Sequence, residues 1–343
     1  MRLPYFRLVK GILKNKIGVQ APLTLAYEAT VACNLRCRFC SFWKRQRGDE
    51  LELSEVRDAI AQAVSEGASF FAATGGEPLL REDIPQILKF ARKRMLTLLV
   101  TNGVLLAERI DEIAPFLDFL TVSLDTLNPS KYKYLRGCDC LEDVLEGISA
   151  YEERRKKYPH LKFNINTVLM RETLPEVPYL LNFALKKRIG ITFEPVVPLT
   201  SDASCENPPE WGSPEDFNNA LKEILRFKAR HPATVWNTDY YLKWILERKN
   251  FICRSETLIR MDACGNIIAP CYDHPSYDVV GNIREKRLSE ILHSKKAREL
   301  HESAHKCPRK DCYLMCYVEP SLVISSFSLA FRGLASMFMK LRA

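Results

Sequence analysis

Six apolar segments of strand length recur along the first 200 residues, and stretches with helical spacing lie between them. The apolar segments are 23–31, 68–74, 96–101, 119–124, 162–170 and 191–197. Apolar residues three and four positions apart predict helices at 54–66, 83–94, 141–157 and 175–187, the first with Ser54 as its N-cap. This alternation predicts parallel strands covered by outer helices. We therefore predict an α/β fold, a partial (βα)6 TIM-like barrel, with an open doubly wound sheet as the alternative.

Polar or cysteine-rich clusters follow four of these predicted strands. Parallel strands bring their carboxyl ends to one edge of the sheet, and ligands bind at that edge in both architectures. We therefore expect the clusters to form one site. In chain order they are Cys33, Cys37 and Cys40; Gly75, Gly76, Glu77 and Pro78; Thr101, Asn102 and Gly103; and Ser123 and Asp125.

Cys33, Cys37 and Cys40 follow the pattern Cys-x3-Cys-x2-Cys, which lets three thiols converge on one metal centre from a single loop. Three thiolates leave one iron of a four-iron cluster without a protein ligand, and a catalytic metal site needs such an open position. The first 20 residues show no secretory signal, so the twelve cysteines of the chain indicate metal ligands in a reducing cytosol. The alternative is a structural zinc site completed by a distant side chain.

The cysteine pattern, with Phe39 before its last cysteine and Gly-Gly-Glu-Pro one strand later, resembles the radical S-adenosylmethionine (SAM) superfamily over about residues 21–200. The resemblance implies that Cys33, Cys37 and Cys40 hold a [4Fe–4S] cluster whose open iron binds SAM. An electron from the cluster would cleave SAM, and the 5′-deoxyadenosyl radical would abstract hydrogen from an unactivated C–H bond. It also implies an external low-potential electron donor of the flavodoxin or ferredoxin type.

The same resemblance assigns roles to individual residues. It implies that Phe39 lies near the adenine of SAM and that Gly75, Gly76, Glu77 and Pro78 hold the methionine amino group. Ser123 and Asp125, with Arg136 as a further candidate, would contact the ribose or carboxylate of SAM. Cys138 and Cys140 follow Arg136 and are candidate hydrogen-atom donors, with buried bystander cysteines as the alternative. The set is Phe39, Gly75, Gly76, Glu77, Pro78, Ser123, Asp125, Arg136, Cys138 and Cys140.

A second cysteine group follows residue 250 and resembles the C-terminal module called SPASM, or its shorter twitch form. Five residues separate Gly265 from Cys271 where four are usual, and the usual cysteine-rich ending is shortened. The resemblance therefore implies one auxiliary [4Fe–4S] cluster rather than two, with a zinc knot as the alternative. Its ligands would be Cys253, Cys271 and Cys316, with the fourth from Cys312 or Cys307.

Three further residues of this region carry expectations. Cys264 falls at a predicted hairpin tip and is expected to be free, although a ligand role remains the alternative. His274 lies close to Cys271 in the sequence. His301 shares a predicted helix face with His305, and its charged neighbours predict a solvated face.

The ends of the chain are basic and amphipathic. Phe6, Val9, Leu13 and Ile17 follow helical spacing, and residues 319–343 combine apolar side chains with Arg332 and other basic residues. Such segments lie in membrane interfaces, and ordinary packing on the barrel is the alternative. The net charge of +8 is diffuse, so we expect no nucleic-acid partner. The predicted units are 1–20, the barrel at 21–200, a loop and helical linker at 201–250, the iron–sulfur module at 251–318, and 319–343.

The termini give the only indication of a substrate. If they contact a membrane, the substrate is a lipid chain, by similarity to radical SAM enzymes that join or modify membrane lipids. The location would then be the cytoplasm, with peripheral contact at the inner face of the cell membrane. The alternatives are a peptide or protein maturase, a haem- or cofactor-modifying enzyme, and a non-enzymatic iron–sulfur or zinc scaffold.

Overall fold

The computed structural model describes residues 3–46, 48–197, 210–247, 251–307 and 312–325. The helices are α1 Leu3–Lys16, α2 Leu53–Ser65, α3 Ile84–Arg92, α4 Leu106–Ile113, α5 Pro129–Arg136, α6 Leu141–Arg154, α7 Val177–Lys187, α8 Pro214–Arg230, α9 Asp239–Glu247, α10 Leu288–Leu292, α11 Lys295–Ala304 and α12 Met315–Ser325. The strands are β1 Thr24–Glu28, β2 Phe70–Thr74, β3 Leu96–Thr101, β4 Phe119–Ser123, β5 Lys162–Leu169, β6 Gly190–Pro195, β7 Leu258–Met261, β8 Asn266–Ala269 and β9 Asp278–Asn282. Short 3-10 helices lie at Phe42–Lys44, Pro78–Leu80, Ala114–Phe116, Leu174–Glu176 and Ser255–Thr257.

Within the described residues the strands form one nine-stranded sheet in the order β6-β5-β4-β3-β2-β1-β7-β8-β9. All neighbours from β6 to β7 are parallel, and β8 and β9 are antiparallel additions. The first six strands lie in chain order without the reversal of a doubly wound sheet, so the predicted partial barrel is confirmed and its alternative is excluded.

The predicted C-terminal module continues the barrel sheet. β7 pairs in parallel with β1, and Arg260 lies in register with Ala26. The turn from β7 to β8 is closed by Asp262, whose carboxylate accepts the backbone N–H groups of Cys264 and Asn266 at 2.9 Å. Cys264 therefore lies at a hairpin tip, as the sequence predicted.

Helix ends explain where the chain turns toward the site. Ser54 is not the N-cap of α2, because the helix begins one residue earlier and Glu52 forms a capping box with Glu55. α5 begins with Asn128, whose side chain accepts from the Lys131 backbone N–H, and ends at Gly137 with a left-handed φ of 71°. A Cβ at Gly137 would lie 2.7 Å from the Arg36 carbonyl oxygen, so this glycine permits close contact between α5 and the cysteine loop.

The two faces of the barrel sheet differ in chemistry. The outer face is apolar: Leu120, Val122 and Ile165 are fully buried against the helices. The opposite face of β4–β6 is polar. There Thr121 donates to Asn164 at 2.7 Å, and Asn164 donates to Thr192 at 3.0 Å. The register places Ser123, Asn166, Thr192 and Glu194 on this interior face, toward the carboxyl ends of the strands.

α1 is packed on one side only. Ile12 contacts Leu23 and Ile324, and Lys16 donates to the Ile324 carbonyl at 3.0 Å, so α1 lies against α12. Large apolar residues on its other side are exposed: Leu3 by 68%, Phe6 by 57%, Leu13 by 52% and, just beyond the helix, Ile17 by 76%. No helix of the described chain is both long enough and apolar enough to cross a membrane.

Candidate metal centres

The first cysteine group lies on the loop after β1, at the carboxyl edge of the barrel. Cys37 is buried, whereas Cys33 and Cys40 are half-buried. Burial raises the pKa of Cys40 to about 11 and also raises the pKa of Cys33. The neutral thiol is therefore favoured in the protein alone, and the thiolate needs a metal or another cation nearby.

Gly75 and Gly76 connect this loop to the second strand. The backbone N–H of Gly76 donates to Thr30 O at 2.8 Å, and that of Glu77 donates to Ala32 O at 2.7 Å. A Cβ at Gly76 would lie 2.1 Å from the Ala32 carbonyl oxygen, so a side chain does not fit there. These glycines thus allow two segments of the chain to pack together, a role that the sequence had assigned to close contact with a ligand.

Glu77 joins three loops at the same edge. It is fully buried, and its carboxylate accepts from the Thr101 hydroxyl at 2.7 Å, the Asn102 backbone N–H at 2.7 Å and the Leu79 backbone N–H at 2.9 Å. Burial raises the pKa of Glu77 although these hydrogen bonds oppose the change. Asn102 in turn donates to Asn34 at 2.7 Å, which ties the third strand to the cysteine loop. Both carboxylate oxygens of Glu77 are engaged by protein donors.

Arg136 connects α5 to the buried cysteine. Its Nη2 lies 2.5 Å from Asp125 Oδ2, its Nη1 donates to Cys37 Sγ at 3.8 Å, and its guanidinium carbon lies 5.1 Å from the centre of the Phe39 ring. Burial opposes the charged form, but Asp125 and Cys37 keep the pKa of Arg136 above its ordinary value. Arg136 Nε is buried without a hydrogen-bond partner in the described residues.

Asp125 is oriented by the protein itself. It is completely buried, and its Oδ1 accepts the Val168 backbone N–H at 2.9 Å while Oδ2 pairs with Arg136. Ser123 is half-buried at the end of β4, in register with Asn166. Phe39, Asp125 and Arg136 are therefore brought together, and the unpartnered Nε is a donor that a bound carboxylate would satisfy.

Cys138 and Cys140 lie just after the α5 end. Cys140 is buried, and burial, together with the adjacent Cys138 thiol, raises its pKa to about 12. The Cys140 thiol contacts that of Cys138 and remains protonated near neutral pH.

The second cysteine group surrounds one cavity. Four thiols line it, together with Asp273 and His274. They come from three regions of the chain, and a site of four cysteine thiols matches the ligand set of a [4Fe–4S] cluster. The lining thiols are Cys253, Cys271, Cys307 and Cys312.

Cys316 lies in the first turn of α12 and does not line this cavity. It is exposed, and its electrostatic neighbours include Arg260, Glu194 and Cys271. Nowhere in residues 3–46, 48–197, 210–247, 251–307 and 312–325 do three His, Cys, Asp or Glu side chains meet closely enough to hold one metal ion. Cysteines around a four-iron cluster each bind a different iron.

Of the histidines of this region, His301 differs from its sequence-based expectation. His301 is buried on α11, its Nδ1 lies 2.8 Å from the Ser255 hydroxyl, and burial lowers its pKa to about 4. The predicted solvated face is therefore wrong, because α11 packs against the Ser255–Thr257 turn. His274 lines the cavity beside Cys271.

A buried ionic cluster lies between the two cysteine groups. Glu28 is 2% exposed, and its carboxylate pairs with Arg45 at 3.3 Å and Arg260 at 3.5 Å and accepts from the Tyr272 hydroxyl at 3.2 Å. Burial raises the pKa of Glu28, and the two arginines oppose that change. Since Arg45 follows the first group and Tyr272 follows Cys271, Glu28 joins the two.

Sequence reasoning missed Glu28, Arg260 and Glu194. The backbone N–H of Met315 donates to Glu194 Oε1 at 2.7 Å, and burial raises the pKa of Glu194 to about 7. The available signal was a charged residue within an apolar strand segment, since such a charge requires a buried partner or a site.

Two family models match the chain. The radical SAM superfamily matches residues 27–184, and the iron–sulfur cluster-binding domain SPASM matches residues 253–317. The GTP 3′,8-cyclase of Peptoclostridium acidaminophilum is 38% identical over 133 residues, covering 36% of this chain and 41% of that relative. The GTP 3′,8-cyclase of Clostridium perfringens strain SM101 is 30% identical over 198 residues, covering 54% of this chain and 59% of that relative. The chain thus spans about two to three fifths of the length of these relatives.

Solved structures share the fold. Streptococcus suis SuiB bound to S-adenosylmethionine superposes with a TM-score of 0.70 at 18% identity, covering 93% of this chain and 78% of that one. Native anSMEcpe with bound AdoMet superposes with a TM-score of 0.66 at 21% identity, covering 86% of this chain and 87% of that one.

The barrel and its two cysteine groups define an iron–sulfur protein of the α/β class. The chain carries a radical SAM domain over residues 27–184 and a SPASM domain over residues 253–317. This confirms the family predicted from the Cys33, Cys37 and Cys40 pattern with Gly-Gly-Glu-Pro at 75–78, while the match to SPASM does not support the shorter twitch form. Radical SAM proteins are enzymes that take electrons from an external donor. The radical SAM domain implies a [4Fe–4S] cluster and bound SAM. The SPASM domain implies binding of auxiliary iron–sulfur clusters.

Proposed function

We propose that this chain reductively cleaves SAM and abstracts hydrogen from an unactivated C–H bond of a polar substrate inside the barrel. When bound, the [4Fe–4S] cluster supplies an electron and an open iron at which SAM is held. The observation that carries the proposal is that three cysteines of one loop lie near one another, beside a buried, charged arginine, at the carboxyl edge of the barrel. The electron donor would be a low-potential flavodoxin or ferredoxin.

The protein groups around this site divide into two roles. Cys33, Cys37 and Cys40 would be the cluster ligands, and the free Nε of Arg136 would donate to the SAM carboxylate beside Phe39. Glu77 and Asp125 would orient the loops, because their carboxylate oxygens already accept from protein donors. Ser123 and the backbone of Gly75, Gly76 and Pro78 remain candidates for direct contact with SAM.

We propose that the SPASM cavity holds one auxiliary [4Fe–4S] cluster on Cys253, Cys271, Cys307 and Cys312. The sequence-based ligand set included Cys316, whereas the set proposed here does not. Cys316 is then a fifth thiol near the cluster. Iron and acid-labile sulfide analysis tests the cluster: about eight irons per chain are expected for two four-iron clusters. Zinc in place of the second set of irons would contradict it.

The barrel interior favours a polar substrate over a lipid chain. Asn166, Thr192 and Glu194 face the interior, so a substrate held there would lie against polar side chains and not against an apolar surface. The GTP 3′,8-cyclase relatives and the peptide-bound neighbour SuiB are named for polar substrates. A nucleotide-derived cofactor precursor or a peptide is therefore the proposed substrate class.

The test is formation of 5′-deoxyadenosine by the anaerobically reconstituted, reduced chain with SAM, measured by mass spectrometry. Cys37→Ala is expected to abolish it while the SPASM iron remains. Cys264→Ala is the matched control, because this cysteine lies at the hairpin tip and does not line the SPASM cavity. An iron–sulfur or zinc scaffold predicts no product from the wild-type chain, and an active Cys37→Ala variant would contradict the ligand assignment.

A second proposal concerns peripheral membrane contact, which α1 favours. Its exposed side combines Leu3, Phe6 and Leu13 with Lys10 and Lys14, and α1 contains no acidic residue. This is the composition of a helix that lies in an anionic lipid interface. The location would be the cytoplasm at the inner membrane face, and contact there would keep a lipid substrate as the second candidate.

Co-sedimentation with anionic vesicles at low salt tests this contact. Wild-type protein is expected to pellet, Phe6→Glu/Leu13→Glu is expected to stay in solution, and Lys133→Glu on α5 is the control for a change of charge alone. Wild-type protein that stays in solution would contradict both membrane contact and the lipid substrate.

A further inference from the structure

Arg136 is held in one position by the protein around it. Asp125, which pairs with its Nη2, is itself completely buried and fixed by the Val168 backbone N–H at 2.9 Å. The Arg136 carbonyl also accepts from the Arg36 backbone N–H at 3.2 Å, so the cysteine loop is bound to the end of α5. Neither the arginine nor the loop can therefore move without breaking buried contacts.

The fixed cation is directed at a cluster ligand. Arg136 Nη1 donates to Cys37 Sγ at 3.8 Å, and Cys37 is the most buried of the three cysteines on its loop. The reduction potential of an iron–sulfur cluster depends on net charge and on hydrogen bonds to its sulfurs. A cation beside a ligand sulfur stabilises the more negative, reduced cluster, and it does so more strongly where little water is present.

We infer that Arg136 is a positioning residue that sets the reduction potential of the cluster on Cys33, Cys37 and Cys40. This inference rests on the proposed function and adds a role to the contact of Arg136 with SAM. Reduction of the cluster is a one-electron step, and Arg136 makes that step easier by raising the potential at which it occurs.

Arg36 offers a matched control on the same loop. Its Nη1 donates to the Cys33 carbonyl oxygen at 2.7 Å, in an exposed position, and not to a thiol. Arg36→Gln therefore removes an equal charge close to the cluster while keeping the hydrogen bond to Cys37. An exposed charge is screened by water and salt, so its effect on the potential is expected to be small.

The experiment is a redox titration of the reconstituted full chain without SAM, followed by electron paramagnetic resonance. The signal of this cluster is identified as the one that Cys37→Ala lacks. Arg136→Gln is expected to shift its midpoint to more negative potential. Arg136→Lys, which keeps the charge but not the two-point contact, is expected to shift it less, and Arg36→Gln is expected to match wild type.

An unchanged midpoint in iron-loaded Arg136→Gln would overturn the inference. If that variant does not retain iron, Arg136→Met decides, because it also removes both the charge and the hydrogen bond to Cys37, and a midpoint equal to wild type would overturn the inference equally. Failure of the proposed function is distinct: the wild-type chain would then bind no cluster at the three cysteines, and no signal would be lost in Cys37→Ala.

Discussion

The two cysteine groups of this chain are assembled in different ways. The first takes three thiols from eight consecutive residues on one loop, whereas the second takes four thiols from segments spread between Cys253 and Cys312. Each group has an arginine paired with a buried carboxylate, Arg136 with Asp125 and Arg260 with Glu28. A site built from one loop can therefore be predicted from the spacing of its cysteines. A site built from distant segments depends on the tertiary fold.

The largest expected difference between the groups is their response to losing one ligand. Cys37→Ala should abolish 5′-deoxyadenosine formation, and Cys271→Ala should leave it measurable while iron content falls by about four atoms per chain. Product analysis and iron determination on the same samples check this. Loss of all iron in either variant would show that the two groups do not bind metal independently.

Removing the link between the groups should cost stability. Glu28→Gln leaves Arg45 and Arg260 without their buried counter-charge, so we expect the free energy of unfolding to fall by about 3 kcal/mol. Urea denaturation measures it. The control Glu112→Gln removes the partner of Arg109 at a surface position, where about 0.5 kcal/mol is expected. Equal losses in the two variants would contradict the bridging role of Glu28.

Gly76 and Gly265, one near each cysteine group, should differ in how much stability is lost when each is replaced by alanine. A Cβ at Gly76 meets the rigid Ala32 carbonyl at 2.1 Å, so Gly76→Ala is expected to cost about 2 kcal/mol. Gly265 has a φ of 86°, and its Cβ would meet the Leu51 and Ile283 side chains at 2.9 Å, so Gly265→Ala should cost about 1 kcal/mol. Thermal or urea unfolding measures the loss of stability in each variant. A larger loss in Gly265→Ala than in Gly76→Ala would show that the cysteine loop accommodates a side chain more easily than the hairpin.

The smallest expected effect is a pH dependence beside the second group. The folded-state pKa of Glu194 is about 7 against 4.5 for the free group, so the folded chain binds this proton more tightly. Its contribution to stability is complete below pH 4.5 and is lost as pH rises toward 7 and above, by about 1 kcal/mol after allowing for contact with solvent. Urea denaturation between pH 5.5 and 8 should show this decline in wild type and a flatter profile in Glu194→Gln; parallel profiles would contradict it.

Much of the barrel was predictable because its strands are short apolar runs and its helices have regular spacing. Predicted segments such as 96–101 and 162–170 agree with β3 and β5 to within a residue or so. The cysteine loop was also predictable from local sequence, because its three cysteines lie within eight residues. Helices α4 and α5 were missed, although Asn128 and Pro129 are a start signal for α5.

The rest depends on contacts between distant residues. Which four thiols line the SPASM cavity depends on the tertiary fold, whereas the resemblance to SPASM had implied Cys253, Cys271 and Cys316 with the fourth ligand from Cys312 or Cys307. Likewise, burial of His301 depends on Ser255, and pairing of Glu28 with Arg260 depends on the register between β1 and β7. No local sequence pattern predicts the register between β1 and β7.

The parallel pairing of β1 with β7 has a consequence for synthesis of the chain. β1 leaves the ribosome long before β7, the partner for one of its edges, which begins about 230 residues later in the chain. Until then that edge presents unpaired N–H and C=O groups, which other chains can capture. Folding of this protein is therefore expected to need protection of that edge until β7 has been synthesised.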